Sequence, residues 1–233
     1  RLGANARIGV CCLDVVTGKR RSWRAGDPFP LGRSFYWLLA AQILAAADRG
    51  RVLLSDVVTF SLSDMVAPSP VITALADDGA ASLATLCAAA AGKCDHTAAR
   101  LLLRVVGGPA GFTAGLRSWG DSTTRLAAQD SSSPAALHNR TTPATMVALL
   151  SRVRYGSALA TPSRRLLAAW MDTDTGINTS GHRMIIIPPP AGTPVVIASY
   201  IHAPVSDRGS VNTTHAEIAA LVQQSSAPRA LTG

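Results

Sequence analysis

The sequence predicts an α/β (α+β) sandwich in which one antiparallel sheet, built from both ends of the chain, stands beside an inserted all-helical domain. Two observations carry this. Runs rich in β-branched residues lie near both termini, at 6–16, 21–25, 184–187 and 194–201, and the periodic stretches between them are helical. The sheet domain is expected to be discontinuous, from 1–32 and 156–233, and the helical domain to cover 33–155. Neither repeats nor linkers interrupt the chain.

The elements follow in order. Residues 6–16 and 21–25 read as a hairpin whose turn, Thr17-Gly18-Lys19-Arg20, contains a glycine. Residues 34–47 are apolar nearly all round and end at Asp48-Arg49-Gly50, the pattern of a buried central helix with a glycine stop. Helices are predicted at 82–91, 97–106, 109–119, 143–154 and 162–171. The last three carry proline in the first turn, and the last two follow a threonine that can cap them, Thr142 and Thr161. Strands 184–187 and 194–201 are joined by Pro188-Pro189-Pro190-Ala191-Gly192-Thr193. A final helix over 215–223 bears the chain's one glutamate, Glu217.

Composition narrows the function. With 233 residues, 48% of them hydrophobic, the chain is long enough to bury a substantial core. No apolar run approaches the roughly eighteen residues of a membrane helix. Arg1 to Asn5 resemble the tail of a first helix, which leaves room for an export signal trimmed away ahead of them. The net charge of +8 comes almost wholly from arginine. Its pairs, such as Arg20-Arg21, Arg49-Arg51, Arg152-Arg154 and Arg164-Arg165, are scattered and lack interleaved aromatics, so no specific nucleic-acid partner is expected. Cys11, Cys12, Cys87 and Cys94 show no disulfide framework and no metal-ligand spacing. Neither a metal nor a cofactor is expected, and unpaired thiols lean towards a cytoplasmic setting.

Five segments carry the chemistry. They are Phe29-Pro30-Leu31-Gly32-Arg33-Ser34-Phe35-Tyr36; Cys94-Asp95-His96-Thr97-Ala98-Ala99-Arg100-Leu101; Thr124-Arg125-Leu126-Ala127-Ala128-Gln129-Asp130; Asp172-Thr173-Asp174-Thr175-Gly176; and Ser180-Gly181-His182-Arg183-Met184-Ile185. In type and order they resemble the motifs of the class A serine β-lactamases, whose chemistry uses a Ser-x-x-Lys pair, a Ser-Asp-Asn loop, a water-positioning glutamate and a Lys-Thr-Gly strand. The resemblance implies the sandwich described above, with a pocket in the crevice between its two parts. It also implies export.

Matched residue by residue, most of the catalytic groups are replaced. Arg33 falls at the nucleophile's position and Tyr36 at the lysine's; a guanidinium has no usable lone pair for attack. Ser34 is one residue late, a rotation of about 100° on a helix. The chain has only two lysines, Lys19 and Lys93, and neither has a serine three residues before it. Cys94 and His96 replace the outer members of the second motif, while its aspartate survives as Asp95. A thiol beside an imidazole can act as nucleophile and base, and a buried cysteine can equally be filler. Asp130 falls at the glutamate's position on a shorter arm and a shorter loop, a doubtful base against a plain solvated aspartate. Asp174 stands in place of the last lysine unless that strand is missing. Arg183 matches the arginine that binds a substrate carboxylate.

Three functions are consistent with this. One is a repurposed pocket that binds or transforms a small anionic molecule without a serine acyl-enzyme, with Tyr36, Cys94, His96 and Asp130 as candidate catalytic groups and Arg33, Ser34, Asp95 and Arg183 as candidate binding groups. The second is a catalytically dead protein with a binding or regulatory role. The third, residual β-lactam hydrolysis, is weakest, because loss of nucleophile and lysine together removes about 10⁶-fold of rate by analogy with emptied triads. Arg33 beside Tyr36 is expected to favour the phenolate and bring the tyrosine towards neutral pH. A monomer is expected.

Overall fold

The computed structural model describes residues 6–126, 139–172, 182–187, 194–203 and 208–226. In chain order its elements are β1 (Arg7–Asp14), β2 (Arg20–Trp23), β3 (Phe29–Pro30), α1 (Ser34–Asp48), β4 (Val57–Thr59) and β5 (Ala80–Ser82). Then come α2 (Leu83–Lys93), α3 (His96–Val105), α4 (Gly108–Ser118), β6 (Arg140–Thr141), α5 (Pro143–Arg154) and α6 (Thr161–Asp172). The chain closes with β7 (His182–Ile187), β8 (Val195–His202) and α7 (Arg208–Ser226). Mixed helix and antiparallel sheet is the fold class that the sequence predicts.

Two compact units divide the chain: Arg1–Pro30 with Arg140–Ser151 and Asn178–Gly233, and Leu31–Asn139 with Arg152–Ile177. The first holds a four-stranded sheet in the order β2-β1-β8-β7, antiparallel throughout. The hairpin forms because Asp14 accepts the Val16 and Thr17 N–H groups and Gly18 takes a positive φ of 70°. That turn ends β1 at Asp14, two residues before the β-branched run stops. Strand β8 is buried over Val195–Ile201, covered on both faces. Cys12, Val195 and Ile197 pack with Val10 and with Val222 of α7. Gly9 must lack a side chain, since a Cβ there would lie 2.5 Å from the Phe29 ring. Phe29 in turn contacts Tyr200 at 5.6 Å between centroids and carries the Arg7 guanidinium over its face at 5.2 Å.

The second unit is built on α1, ten of whose fifteen residues are buried: Ser34, and the continuous run from Trp37 to Ala45. Each fully buried leucine here, such as Leu38, Leu39 and Leu44, contributes about 2 kcal/mol. Helices α2, α3, α4 and α6 pack against it or one another. Gln42, polar within the continuous buried run of α1, donates from Nε2 to the Phe112 carbonyl at 2.8 Å. Gly115 gives this amide room, because a Cβ would come within 2.7 Å of it.

The structure departs from the sequence expectations at four places. The block after α1 is not wholly helical: β4 and β5 pair as a short ribbon, and 3-10 turns occupy Leu62–Asp64 and Ile72–Leu75. Strands β3 and β6, each two residues long, also pair. Helix α6 begins at Thr161 itself, and Asp48 anchors its start, accepting from Ala160 N at 2.7 Å and Ser163 Oγ at 2.6 Å. Thr142, by contrast, does cap α5, accepting from Thr145 N at 3.2 Å. Helix α7 starts at Arg208, seven residues before the predicted His215. Its early threonines turn inward on the helix, Thr213 to Gly209 O and Thr214 to Ser210 O, which satisfies hydroxyls that ordinarily compete with helix formation.

Candidate functional site

Six of the eight candidate residues lie in the second unit, at the start of α1 and in the turn between α2 and α3. Helix α1 begins with Arg33 at its cap position, φ −63° and ψ −18°, after Gly32 at φ 49°. Its first-turn amides are occupied locally: Ser34 N donates to Leu31 O, Phe35 N to Gly32 O and Tyr36 N to Arg33 O. The helix end therefore supplies a positive field but no ring of open N–H donors, and the directional donors at this spot belong to Arg33. Its side chain is half-buried. Ser34, expected among the ligand-contacting groups, is only 1% exposed and sealed within the unit.

The α2–α3 turn is held with unusual redundancy. Helix α2 ends at Cys94, a non-glycine residue at φ 51° and ψ 40°. Side chains in this left-handed region cost of order 1–3 kcal/mol and persist where surrounding contacts impose them. Asp95 imposes it. Fully buried, its carboxylate accepts Ala98 N through Oδ1 and both Val71 N and Ile72 N through Oδ2, each at 2.9 Å. Thr97 adds a second stitch, accepting Val66 N at 2.9 Å while Ser69 Oγ accepts Thr97 N at 2.8 Å. Asp95 thus caps α3 and clamps the 66–72 loop; with its oxygens engaged by backbone and no exposure, it serves a ligand only by holding its neighbours in place.

His96 is one of those neighbours. Its backbone N–H donates to Pro68 O at 3.1 Å, and its Nδ1 lies 3.1 Å from Ala67 O. A carbonyl only accepts, so the proton resides on Nδ1, and in the neutral ring the lone pair is left on Nε2. The ring stacks on Tyr36, centroids 5.8 Å apart and planes 12° from parallel. Behind Tyr36 the aromatic series continues through Phe35 at 5.7 Å to buried Phe112, 5.2 Å from Phe35.

The structure reverses the expectation for the Tyr36 hydroxyl. Burial is the largest effect and pushes its pKa up to about 12; Cys94 and Asp95 raise it too, and Arg33 offsets only part of this. Tyr36 is a neutral phenol that donates and accepts hydrogen bonds, not an acid or base near neutral pH. Ser69, Thr97 and the Ala67 carbonyl, which orient the turn, escaped sequence reasoning; the Pro68-Ser69-Pro70 run was the signal that a fixed turn lay there.

Asp130 and Asp174 fall outside the described residues. Arg183 lies in β7, paired with Ser199 of β8 in the first unit. Among the described residues no group of three or more His, Cys, Asp or Glu side chains is placed to hold a metal ion.

A model of the β-lactamase enzyme family matches residues 2–180. Among solved structures, the class A β-lactamase of the last common ancestor of Gram-negative bacteria is 32% identical, with a TM-score of 0.83, covering 95% of this chain and 94% of that one. A doubly substituted mutant of that ancestral enzyme, bound to 5(6)-nitrobenzotriazole, is 33% identical, with a TM-score of 0.80, covering 89% and 90%. A β-lactamase from Xanthomonas campestris is 29% identical, with a TM-score of 0.78, covering 89% and 88%. Sequence and fold agree over most of the chain: it belongs to the β-lactamase enzyme family and has the class A fold.

Proposed function

We propose that the protein binds a small carboxylate-bearing molecule and forms no serine acyl-enzyme with it. The observation that carries this reading is at the head of α1: Arg33 offers a half-buried guanidinium there, while the adjacent Ser34 is 1% exposed. A guanidinium presents paired donors that match a carboxylate, and the helix N-terminus adds a positive field. Tyr36 supplies a neutral hydroxyl and His96 an aromatic face beside it. Arg183 is the second guanidinium that the family resemblance assigns to a carboxylate.

A purely binding or regulatory role is favoured over turnover by Tyr36 and Asp95. The first is a phenol held protonated by burial, and the second has its carboxylate engaged by three backbone N–H groups. Neither is poised to move a proton in a catalytic cycle.

Thermal shift with a panel of acetate, succinate, benzoate and phosphate tests the reading. A ligand specific for the native state at about a hundred times its Kd stabilises by about 2.7 kcal/mol, a shift of several degrees in a chain of this length. Carboxylates should raise the Tm, Arg33→Ala should remove most of that rise, and Arg183→Ala should weaken it. No shift across the panel, or an equal shift in Arg33→Ala, would contradict the proposal.

A further inference from the structure

The β1–β2 hairpin carries a second surface, unrelated to the α1 site. Residues 16–24 are all exposed, and within them stand Lys19, Arg20, Arg21 and Arg24 together with two bare apolar side chains, Val16 at 71% and Trp23 at 68% exposure. Arg24 pairs with Asp27 at 2.8 Å, whereas no ion pair engages Lys19, Arg20 or Arg21 among the described residues. Among the described residues, strand β2 is the edge of its sheet and pairs only with β1.

The register defines what that edge offers. Asp14 N donates to Lys19 O at 3.0 Å, so the Asp14–Lys19 pair is a hydrogen-bonded one, and alternation makes Cys12–Arg21 and Val10–Trp23 hydrogen-bonded too. The intervening Arg20 and Ser22 then turn their N–H and C=O groups outward, away from β1. Opposed residues of an antiparallel pair share a face, so Arg21 and Trp23 share one with Cys12 and Val10, and Arg20 and Ser22 share the other. An open backbone edge is thus flanked by guanidinium groups on both faces and by an exposed indole on one.

We propose that β2 docks an extended acidic peptide, which adds to the sheet as a further strand. Backbone pairing to Arg20 and Ser22 supplies registry, carboxylates meet Lys19, Arg20 and Arg21, and an apolar peptide residue covers Trp23. Charge complementarity selects this occupant. A second copy of the chain pairing β2 against β2 would set Arg20 and Arg21 against their own counterparts, a like-charge contact that destabilises. Nucleic acid and lipid headgroups would meet the charges but leave the outward backbone groups unpaired.

The test uses the whole protein and a fluorescein-labelled peptide of alternating Glu and Val, read by anisotropy, with the amides followed by hydrogen exchange. The peptide should bind, and at saturation exchange of the Arg20 and Ser22 amides should slow about tenfold or more. Arg20→Ser with Arg21→Ser should weaken binding about tenfold or more, and Trp23→Ala severalfold. Ser22→Pro removes one outward N–H while sparing the ladder to β1, and should weaken binding with the Tm of the free protein unchanged. Absence of binding, binding indifferent to the arginines, or unchanged exchange at Arg20 and Ser22 would overturn the proposal. So would tighter, arginine-dependent binding of a single-stranded oligonucleotide or of phosphatidylserine vesicles.

Discussion

Tyr36 of α1 and His96 of α3 lie face to face, ring centroids 5.8 Å apart and planes within 12°. The stack joins the two elements that carry the candidate site, and His96 is fixed from behind by its Nδ1 contact with Ala67 O. A double-mutant cycle on Tyr36→Ala and His96→Ala, read by urea unfolding, should give a coupling energy of about 1 kcal/mol, with Tyr36→Ala alone costing about 2 kcal/mol. Strictly additive losses would show that the rings do not support each other.

Asp95 should be the most sensitive polar residue of the second unit. Asp95→Ala strands three backbone donors, those of Val71, Ile72 and Ala98, and removes the α3 cap. The expected loss is about 3 kcal/mol or more. Asp95→Asn keeps one acceptor oxygen and should lose less. A change within about 0.5 kcal/mol on Asp95→Ala, the range of ordinary surface substitutions, would contradict the clamp.

Alkali should destabilise the fold. Burial lifts Tyr36 from 10.0 to about 12 and Cys12 from 9.0 to about 11, and raises Cys11 as well. The folded state therefore keeps protons that the unfolded chain releases first. Stability is fully present below about pH 9 and falls as pH climbs through about 12, with roughly 2 kcal/mol of the loss from Tyr36. Tyr36→Phe should flatten the fall of Tm above about pH 10. An unchanged slope in that variant would contradict the burial argument.

Restoring the family's first motif should not restore turnover. Arg33→Ser with Tyr36→Lys replaces two groups, yet Asp130 and Asp174 still stand where the resemblance places a glutamate and a lysine. Groups that act as a unit contribute non-additively, so slow acylation without turnover is the expected result in a nitrocefin assay. Rapid multiple turnover would show that those aspartates suffice.

Much of the fold was legible because its elements announce themselves locally. Helix α1 is apolar on nearly every side, as a buried helix must be, and the hairpin turn carries its glycine at Gly18. What escaped depends on distant partners. Strands β3 and β6 are two residues each and exist only as a pair, and the start of α6 is anchored by Asp48, more than a hundred residues away in sequence. The start of α7 was hidden by Gly209, Thr213 and Thr214, poor helix formers in isolation. At the site, the motif spacing brought Asp95 and His96 to notice, and Arg33 and Tyr36 likewise. It did not show that burial outweighs Arg33 at the Tyr36 hydroxyl, since desolvation is set by tertiary packing that motif spacing does not encode.

Intact-mass spectrometry of the protein incubated with benzylpenicillin tests the central claim, a carboxylate site without acyl-enzyme chemistry, most directly. With Arg33 where the family resemblance places the nucleophile and Ser34 sealed, the spectrum should show only the unmodified chain at every time sampled. A stoichiometric adduct carrying the mass of the opened penicillin, mapped to Ser34 or any other serine, would contradict it.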